Sequence, residues 1–535
     1  MKVNVWLAKA IAIFSVSMLA SCETENQQIA ENSLIYCAEG SPASFNPQTD
    51  TSGTTIDAIA NQLYNRLIKF NDDNSIAPAL AKSWHVTRDG KMITFYLRKD
   101  VHFHSTDYFY PTRLFNADDV LFSFNRILDS EHPFHLVSEG KYPFFQNVQF
   151  SNIVKEIEKI NDHTVRFKLH QANSSFLANL ATDYAVILSK EYADLLAEQD
   201  RKDDIDVHPI GTGPFKLKSY QPGSLLRYYR HDNYWHNNVA LEQLVFDITT
   251  SDTGRLTKLL TNECDVIAYP IAPHKIQENP ELQLEEVTSF NIGYLGFNTH
   301  KPPFDDQRVR KAISHAINKE AIIDAVYGGK AEIANAILPK NSWAHDKSIQ
   351  PHEYSPIKAK QMLIEAGYKD GFSMDIWAMP VQRAYNPNAL TMAKLIQADL
   401  SEIGVQVEIV SYEWSTFLRR LSLGEHQTVL LGWSADHPDP DNFLTPLLSC
   451  SSVVTGSNRA LWCNQEFDNL LKLALQTTNI NQRKNLYFQA QAIIQQALPL
   501  LPIAHSKRFQ ARNKKVKGQL LTSFGGVNFA EVSKQ

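Results

Sequence analysis

The chain contains no Gly-x-Ser-x-Gly elbow, no His-Glu-x-x-His pair, no Walker-type phosphate loop and no dinucleotide fingerprint. The usual sequence signatures of serine hydrolases, zinc peptidases, nucleotide hydrolases and dehydrogenases are therefore missing. Nor is there a Cys-x-x-Cys pair. That excludes covalent haem attachment through Cys-x-x-Cys-His and a zinc site built on that spacing, but leaves noncovalent haem open, which needs only an apolar slot and one axial ligand. A basic excess is lacking too, since the formal charge is -6, and this argues against a nucleic-acid partner. Beyond the first twenty residues no apolar run approaches the roughly 20 residues of a membrane-spanning helix.

Two groupings of metal-ligating residue types fall short of a site. His102 and His104 would share one face of a strand, with Asp107 as the one nearby acid, and hydrogen-bonded or solvent-facing histidines are the commoner outcome. Asp436, Asp439 and Asp441 are interrupted by Pro438 and Pro440 and lack the glycine and closing glutamate of a calcium loop. The reading is no metal, no cofactor and no enzyme; a peptidase would need a nucleophile, a metal or an acid–base pair, and none assembles.

The N-terminus has the layout of an export signal. Lys2 and Lys9 are the only charges before the apolar run Ala10–Ala20, which is too short to span a bilayer. It ends in Leu19-Ala20-Ser21-Cys22, which resembles a bacterial lipobox, so residues 1–21 are read as a lipoprotein signal peptide, Cys22 as the acylated residue and residues 22–32 as a tether. Removing Lys2 and Lys9 with no acid moves the formal charge from -6 to -8. Glu23 after the acylated cysteine favours the outer membrane in a Gram-negative envelope. Outside the cytoplasm, the remaining Cys37, Cys264, Cys450 and Cys463 read as disulfides. Four cysteines allow three pairings. The most economical joins Cys450 to Cys463 and Cys37 to Cys264, the alternative being buried free thiols.

The body is long enough for about three domains of ~150 residues, and 43% hydrophobic residues supply their cores. Asn116, with Asp119 three positions on, predicts a helix whose Val120, Phe124, Ile127 and Leu128 share a face, and Val165, Phe167 and Leu169 alternate as a half-buried strand. Val309, Ile313, Ala316 and Ile317 predict a helical segment that stops at Gly328-Gly329. Leu395, Ile396, Leu400 and Ile403 predict another, ended by Gly404 and followed by the strand residues Val405, Val407 and Ile409. Thr428-Val-Leu-Leu431 is a short strand running into Gly432-Trp433. Alternation of this kind indicates α/β lobes, whose ligands sit beyond the carboxyl ends of strands, where Asp436 lies.

Two segments stand out chemically: Met379-Pro-Val-Gln-Arg-Ala-Tyr-Asn-Pro-Asn388 around Arg383, and Gly432-Trp-Ser-Ala-Asp-His-Pro-Asp-Pro-Asp-Asn442 around Asp436. A free peptide carries a cationic amino end and an anionic carboxyl end. A guanidinium grips a carboxylate through two parallel hydrogen bonds, and a carboxylate suits an ammonium.

These two segments, with Leu34–Gln48, Thr51–Thr55, Ile210-Gly-Thr-Gly-Pro-Phe215 and Val309–Lys319, resemble the family of extracytoplasmic solute-binding proteins that deliver peptides to ABC transporters, its dipeptide-type members above all. The resemblance covers nearly all of residues 33–531. It implies an α/β, two-lobed periplasmic-binding-protein fold (type II, three-domain cluster C) that closes by a hinge. Lobe I would comprise 33–70, 190–288 and 500–535, an inserted domain 71–189 and lobe II 289–499. It also implies that Asp436 pairs with the peptide amino group and Arg383 with its carboxylate, that Tyr385, Trp414 and Trp433 are cleft aromatics, and that Thr51, Ser52, Gly53 and Thr54 contribute from the facing lobe. Gly211-Thr-Gly-Pro-Phe215 lacks an amide donor at Pro214 and a third glycine, so on its own residues it reads as a tight interlobe turn rather than a phosphate cradle. The implied partners are short peptides, read as dipeptides, the membrane subunits of an ABC transporter and the membrane through the lipid anchor, the chain itself being a monomer. Thr253–Leu260 and Leu498–Ala504 look like a Sap-type sister group linked to antimicrobial peptides. Ala384 and Ala435-Asp436-His437 depart from the dipeptide pattern, and lipoproteins of similar sequence are associated with haem or glutathione.

Overall fold

One long strand, Leu500–Asn513, ties the molecule together in the computed structural model, which describes residues 32–455 and 457–535. Its first part pairs with Asn291–Phe297 and Ala331–Ile333, and its later part, from Lys507 on, with Leu282–Thr288 and Val266–Ala268. On one side the sheet continues through Thr428–Ser434, Phe372–Ala378 and Val405–Val410. On the other it continues through Ser33–Ala38, Gln243–Ile248, Leu225–Arg230 and Phe215–Gln221. Phe372–Ala378 and Val405–Val410 run parallel, a pairing that needs a crossover. The helix Ala389–Ser401 supplies it and buries Met392, Ala393, Ile396 and Leu400.

Buried apolar side chains divide at this strand. One large cluster runs from Leu34 to Ala268 and includes Val516 to Val532, another runs from Phe290 to Ala504, and a small third one gathers Leu256, Leu259, Ile276 and Leu282 around Cys37 and Cys264 on the first side. We call the two sides the first and second bodies. The chain passes between them at 288–291 and again at 504–507, and the two passages are bonded to each other. Asn291 Nδ2 donates to Ser506 Oγ at 2.9 Å, and the Ser506 N–H donates to Asn291 Oδ1 at 2.9 Å. His505 lies between the carbonyls of Asn291 and Ala336, at 2.5 and 3.1 Å.

Within the first body, a four-stranded antiparallel sheet runs Ala81–Val86, Met92–Leu97, Thr164–Leu169, Val154–Asn161. The helix Ala117–Leu128 packs on it, started by the reciprocal Asn116–Asp119 cap that the sequence predicts. Disulfides join Cys37 to Cys264 and Cys450 to Cys463.

Two expectations change. The helical segment of 307–328 is two helices, Gln307–Ala316 and Lys319–Tyr327. Ile317 is extended, and Asn318 caps the second helix by accepting from the Ala321 N–H. Asp399 accepts from the Asn318 N–H at 2.9 Å, which fixes the break. The Gly211–Phe215 turn packs inside the first body rather than between the two. There its Gly213 carbonyl faces the rings of His104 and His231 at 3.1 Å each.

Candidate functional site

Between the two bodies lies a cavity of about 1040 Å³. Thr51, Phe144 and Tyr184 of the first body and Tyr294, Tyr385, Trp414, Trp433 and Asp436 of the second contribute to its wall. Four residues singled out in the sequence thus line it from the second body, and one, Thr51, from the first.

Asp436 follows the strand Thr428–Ser434, beyond its carboxyl end. The Asn442 side chain shapes the turn, its Oδ1 accepting from the Asp436 N–H at 2.9 Å while its Nδ2 donates weakly to Asp436 Oδ2 at 3.4 Å. Tyr184 donates its hydroxyl to Asp436 Oδ1 at 3.1 Å, across the gap between the bodies. Among the described residues no cationic side chain pairs with this carboxylate. Burial pushes its pKa from 3.8 up to about 6, with the neighbouring Asp183 adding to the rise and the Tyr184 and Asn442 hydrogen bonds opposing it. An acid held against desolvation with only neutral donors around it is a place for a cationic ligand group.

Arg383 sits on the loop between the strand Phe372–Ala378 and the helix Ala389–Ser401. Its own backbone closes a narrow turn with Asn386, N–H to O at 3.2 Å and 3.0 Å in the two directions. The side chain is exposed. It donates to the Gln382 carbonyl at 2.8 Å and lies 6.0 Å from the Trp414 ring centre, with no carboxylate partner among the described residues. Arg383 is not part of the cavity wall, whereas Tyr385, two residues on, is. The following loop residues are pinned from behind: Ser506 Oγ donates to the Ala384 carbonyl at 2.6 Å and Tyr327 donates its hydroxyl to the Tyr385 carbonyl at 2.7 Å. Room for Tyr385 exists because Gly293 and Gly432 have no side chain. A Cβ on Gly293 would stand 2.3 Å from the Tyr385 carbonyl oxygen, and one on Gly432 2.2 Å from its ring.

Of residues 51–54, Thr51 alone reaches the cavity wall. Ser52 caps the helix Gly53–Leu63, and Thr54 Oγ1 donates to Glu39 Oε1 at 2.8 Å. The segment nevertheless faces Arg383 through Tyr269. The Tyr269 hydroxyl lies 3.7 Å from the Cβ position of Gly53, and the Arg383 guanidinium is near enough to favour its ionised form, against the dominant upward push of burial.

The remaining candidates separate clearly. His104 is buried and bonded, and His102 is exposed, so they do not share a face. Asp439 is taken by Arg483 at 2.9 Å, and Asp441 accepts from Thr445 Oγ1 at 2.5 Å. Among the described residues no group of three or more His, Cys, Asp or Glu could hold a metal ion. Cys22 and the signal segment lie outside the described residues. Sequence reasoning missed Tyr184, Asn442 and Tyr269. Asn442 stands in the same segment as Asp436 and its turn-forming type was a usable signal. Tyr184 and Tyr269 approach through the fold alone, with no local pattern to mark them.

Comparison with known proteins is consistent with this geometry. Residues 75–454 match the family model described as bacterial extracellular solute-binding proteins, family 5 middle. The dipeptide-binding protein of Escherichia coli K12 is 45% identical over 508 residues, covering 94% of this chain and 95% of that protein. Heme-binding protein A of Haemophilus influenzae is 43% identical over 517 residues, covering 96% of this chain and 94% of that one. Among solved structures, the dipeptide binding protein of Pseudoalteromonas sp. SM9913 in complex with Met-Leu superposes with a TM-score of 0.87 at 50% identity, covering 94% of this chain and 100% of that chain.

Proposed function

We propose, for a chain that belongs to the family 5 bacterial extracellular solute-binding proteins, that it captures short peptides by their two charged ends and hands them to an ABC importer. Membership makes it a binding receptor rather than an enzyme, and its α/β architecture is the type II periplasmic-binding-protein fold of its structural neighbours. The observation that carries the peptide reading is the uncompensated Asp436 carboxylate in a cavity between the bodies. A peptide ammonium would fill that place, and the free Arg383 guanidinium would take the carboxylate once the ligand draws it inward. Tyr385, Trp414 and Trp433 offer rings that give contact area to varied side chains. Thr51 closes the site from the first body, with Ser52, Gly53 and Thr54 behind it facing Arg383 across Tyr269. The separation of the two charges then favours dipeptides, because a longer peptide leaves one buried charge unpaired.

In this reading 33–70, 190–288 and 500–535 form lobe I, 71–189 the inserted domain and 289–499 lobe II, with the paired passages at 288–291 and 504–507 as the hinge. Cys22 anchors the protein to the envelope, and the importer's membrane subunits recognise the loaded form of a monomer.

The test is calorimetry on protein refolded without ligand, using Ala-Ala, Ala-Ala-Ala, N-acetyl-Ala-Ala and haem. Tight binding of Ala-Ala abolished by acetylation is the expected result. Indifference to the free amino group overturns the Asp436 clamp. Haem enters the same titration because of the 43% identical relative named for binding it, and a Soret band with no dipeptide binding would replace the peptide reading.

A further inference from the structure

The cavity wall contains a second cation that the two-ended clamp does not use. Arg459 lies in the second body, inside the loop closed by Cys450–Cys463, and lines the same cavity as Asp436. Its backbone is anchored from both sides. His426, kept neutral by burial, donates Nε2–H to the Arg459 carbonyl at 2.8 Å. Next to it Asn458 Nδ2 donates to the carbonyls of Ser449 and Trp462 at 3.1 and 2.8 Å, and Thr299 donates twice to the Ala460 carbonyl.

The side chain has no such anchoring. Among the described residues Arg459 Nη1 is buried without a hydrogen-bond partner and the guanidinium makes no ion pair. The acids of the cavity are occupied elsewhere: Asp441 accepts from Thr445, Asp468 from the Cys450 N–H, and Asp436 from Tyr184 and Asn442. Burial works against the charge of Arg459, and the Tyr294 hydroxyl favours it. A guanidinium has five donors in a fixed fork matched to a carboxylate. Holding it desolvated, rigidly based and unpaired makes it a poor structural cation and a ready anion site.

We infer that Arg459 is a side-chain subsite that selects peptides bearing an acidic residue, its fork taking the side-chain carboxylate of Asp or Glu. This rests on the peptide reading above and adds to it a substrate class. The cavity volume leaves space for such a side chain beside the peptide backbone.

The experiment compares isosteric pairs, Ala-Glu with Ala-Gln and Glu-Ala with Gln-Ala, against Ala-Ala, by calorimetry on the wild type, Arg459→Gln and Arg459→Lys. In the wild type one glutamyl peptide should bind roughly tenfold or more tightly than its glutaminyl partner, the scale of one added charge-assisted hydrogen bond. That ratio should fall towards one in Arg459→Gln and partly return in Arg459→Lys. Using the ratio removes any general weakening of the variant, and a thermal melt reports its folding. A wild-type ratio near one, or a ratio unchanged in Arg459→Gln, overturns the subsite. If Ala-Ala binds while no glutamyl preference exists, only the subsite falls; if no dipeptide binds at all, the peptide reading falls and the subsite with it.

Discussion

At Asp436 binding and stability pull in opposite directions. The folded protein holds the carboxyl proton up to about pH 6, whereas the unfolded chain releases it near 3.8. A carboxyl whose folded pKa is raised lowers stability as pH rises through that interval, and the loss persists at neutral pH. Asp436→Asn removes the charge, keeps an oxygen to accept from Tyr184, and gives up the weak 3.4 Å contact with Asn442. The ligand-free variant should therefore melt about 1–2 °C higher than wild type at pH 7 in differential scanning fluorimetry. Dipeptide affinity should fall by about 100-fold, the scale for removing one partner of an enclosed charge pair. Lower melting of the variant would mean that the carboxylate has a structural partner after all. The same shift sets a pH dependence: the peptide ammonium needs the ionised acid, so affinity should hold from about pH 6.5 to 7.5 and weaken roughly tenfold per unit below 6. A flat profile from pH 7 to 4.5 in calorimetry would exclude Asp436 as the ammonium site.

Elements hold the loop of residues 383–386 by close approach. Tyr385 rests against two strands at Gly293 and Gly432, and its carbonyl and that of Ala384 are held by Tyr327 and Ser506. Gly432→Ala would place a Cβ 2.2 Å from the Tyr385 ring and 2.4 Å from the Ile292 carbonyl oxygen. Neither neighbour can yield without moving the strand or the loop, so about 1–3 kcal/mol of stability should be lost in urea unfolding, together with most dipeptide affinity. Ser506→Ala deletes two bonds, the one that Oγ donates to the Ala384 carbonyl and the one it accepts from Asn291 Nδ2, and should cost about 1–3 kcal/mol. An unchanged midpoint for Gly432→Ala would show that Tyr385 has another position to occupy. This arrangement also marks how far local sequence carries. The Asn116 capping box, the alternating strand Thr164–Leu169 and the strand entering Gly432-Trp433 are set within a few residues and were legible. The break at Ile317–Asn318 was not, because it is fixed by Asp399 from a distant helix. Asp436 was singled out through its segment, whereas Tyr184 reaches it only through the packing of the first body. Arg383 was legible as a type and a segment, yet its exposed position beside Trp414, outside the cavity wall, could not be read from spacing.

The two bodies have separate apolar cores, so polar contacts hold them together away from the hinge. Tyr184 reaches Asp436. Neutral His437, whose Nδ1 accepts from the Asp439 N–H, uses its Nε2–H to donate to Asn179 Oδ1 at 3.0 Å. His437 is thus occupied in bridging the bodies. Farther from the cavity, the Ser174 N–H donates to the Leu475 carbonyl at 2.7 Å and Ser174 Oγ to the Thr477 carbonyl at 2.6 Å. Contacts of this kind exist only while the bodies are together. If ligand-free protein is mostly open, each bond of the closed state enters the affinity in full, because binding includes closure. Ser174→Ala removes one such bond from a residue that does not line the cavity. It should weaken Ala-Ala binding about fivefold, with the change in the dissociation rate, and the ligand-induced decrease in radius of gyration measured by X-ray scattering should persist. Unchanged affinity together with no scattering change on adding ligand would mean that the free protein is already closed, and the hinge would then have no part in capture.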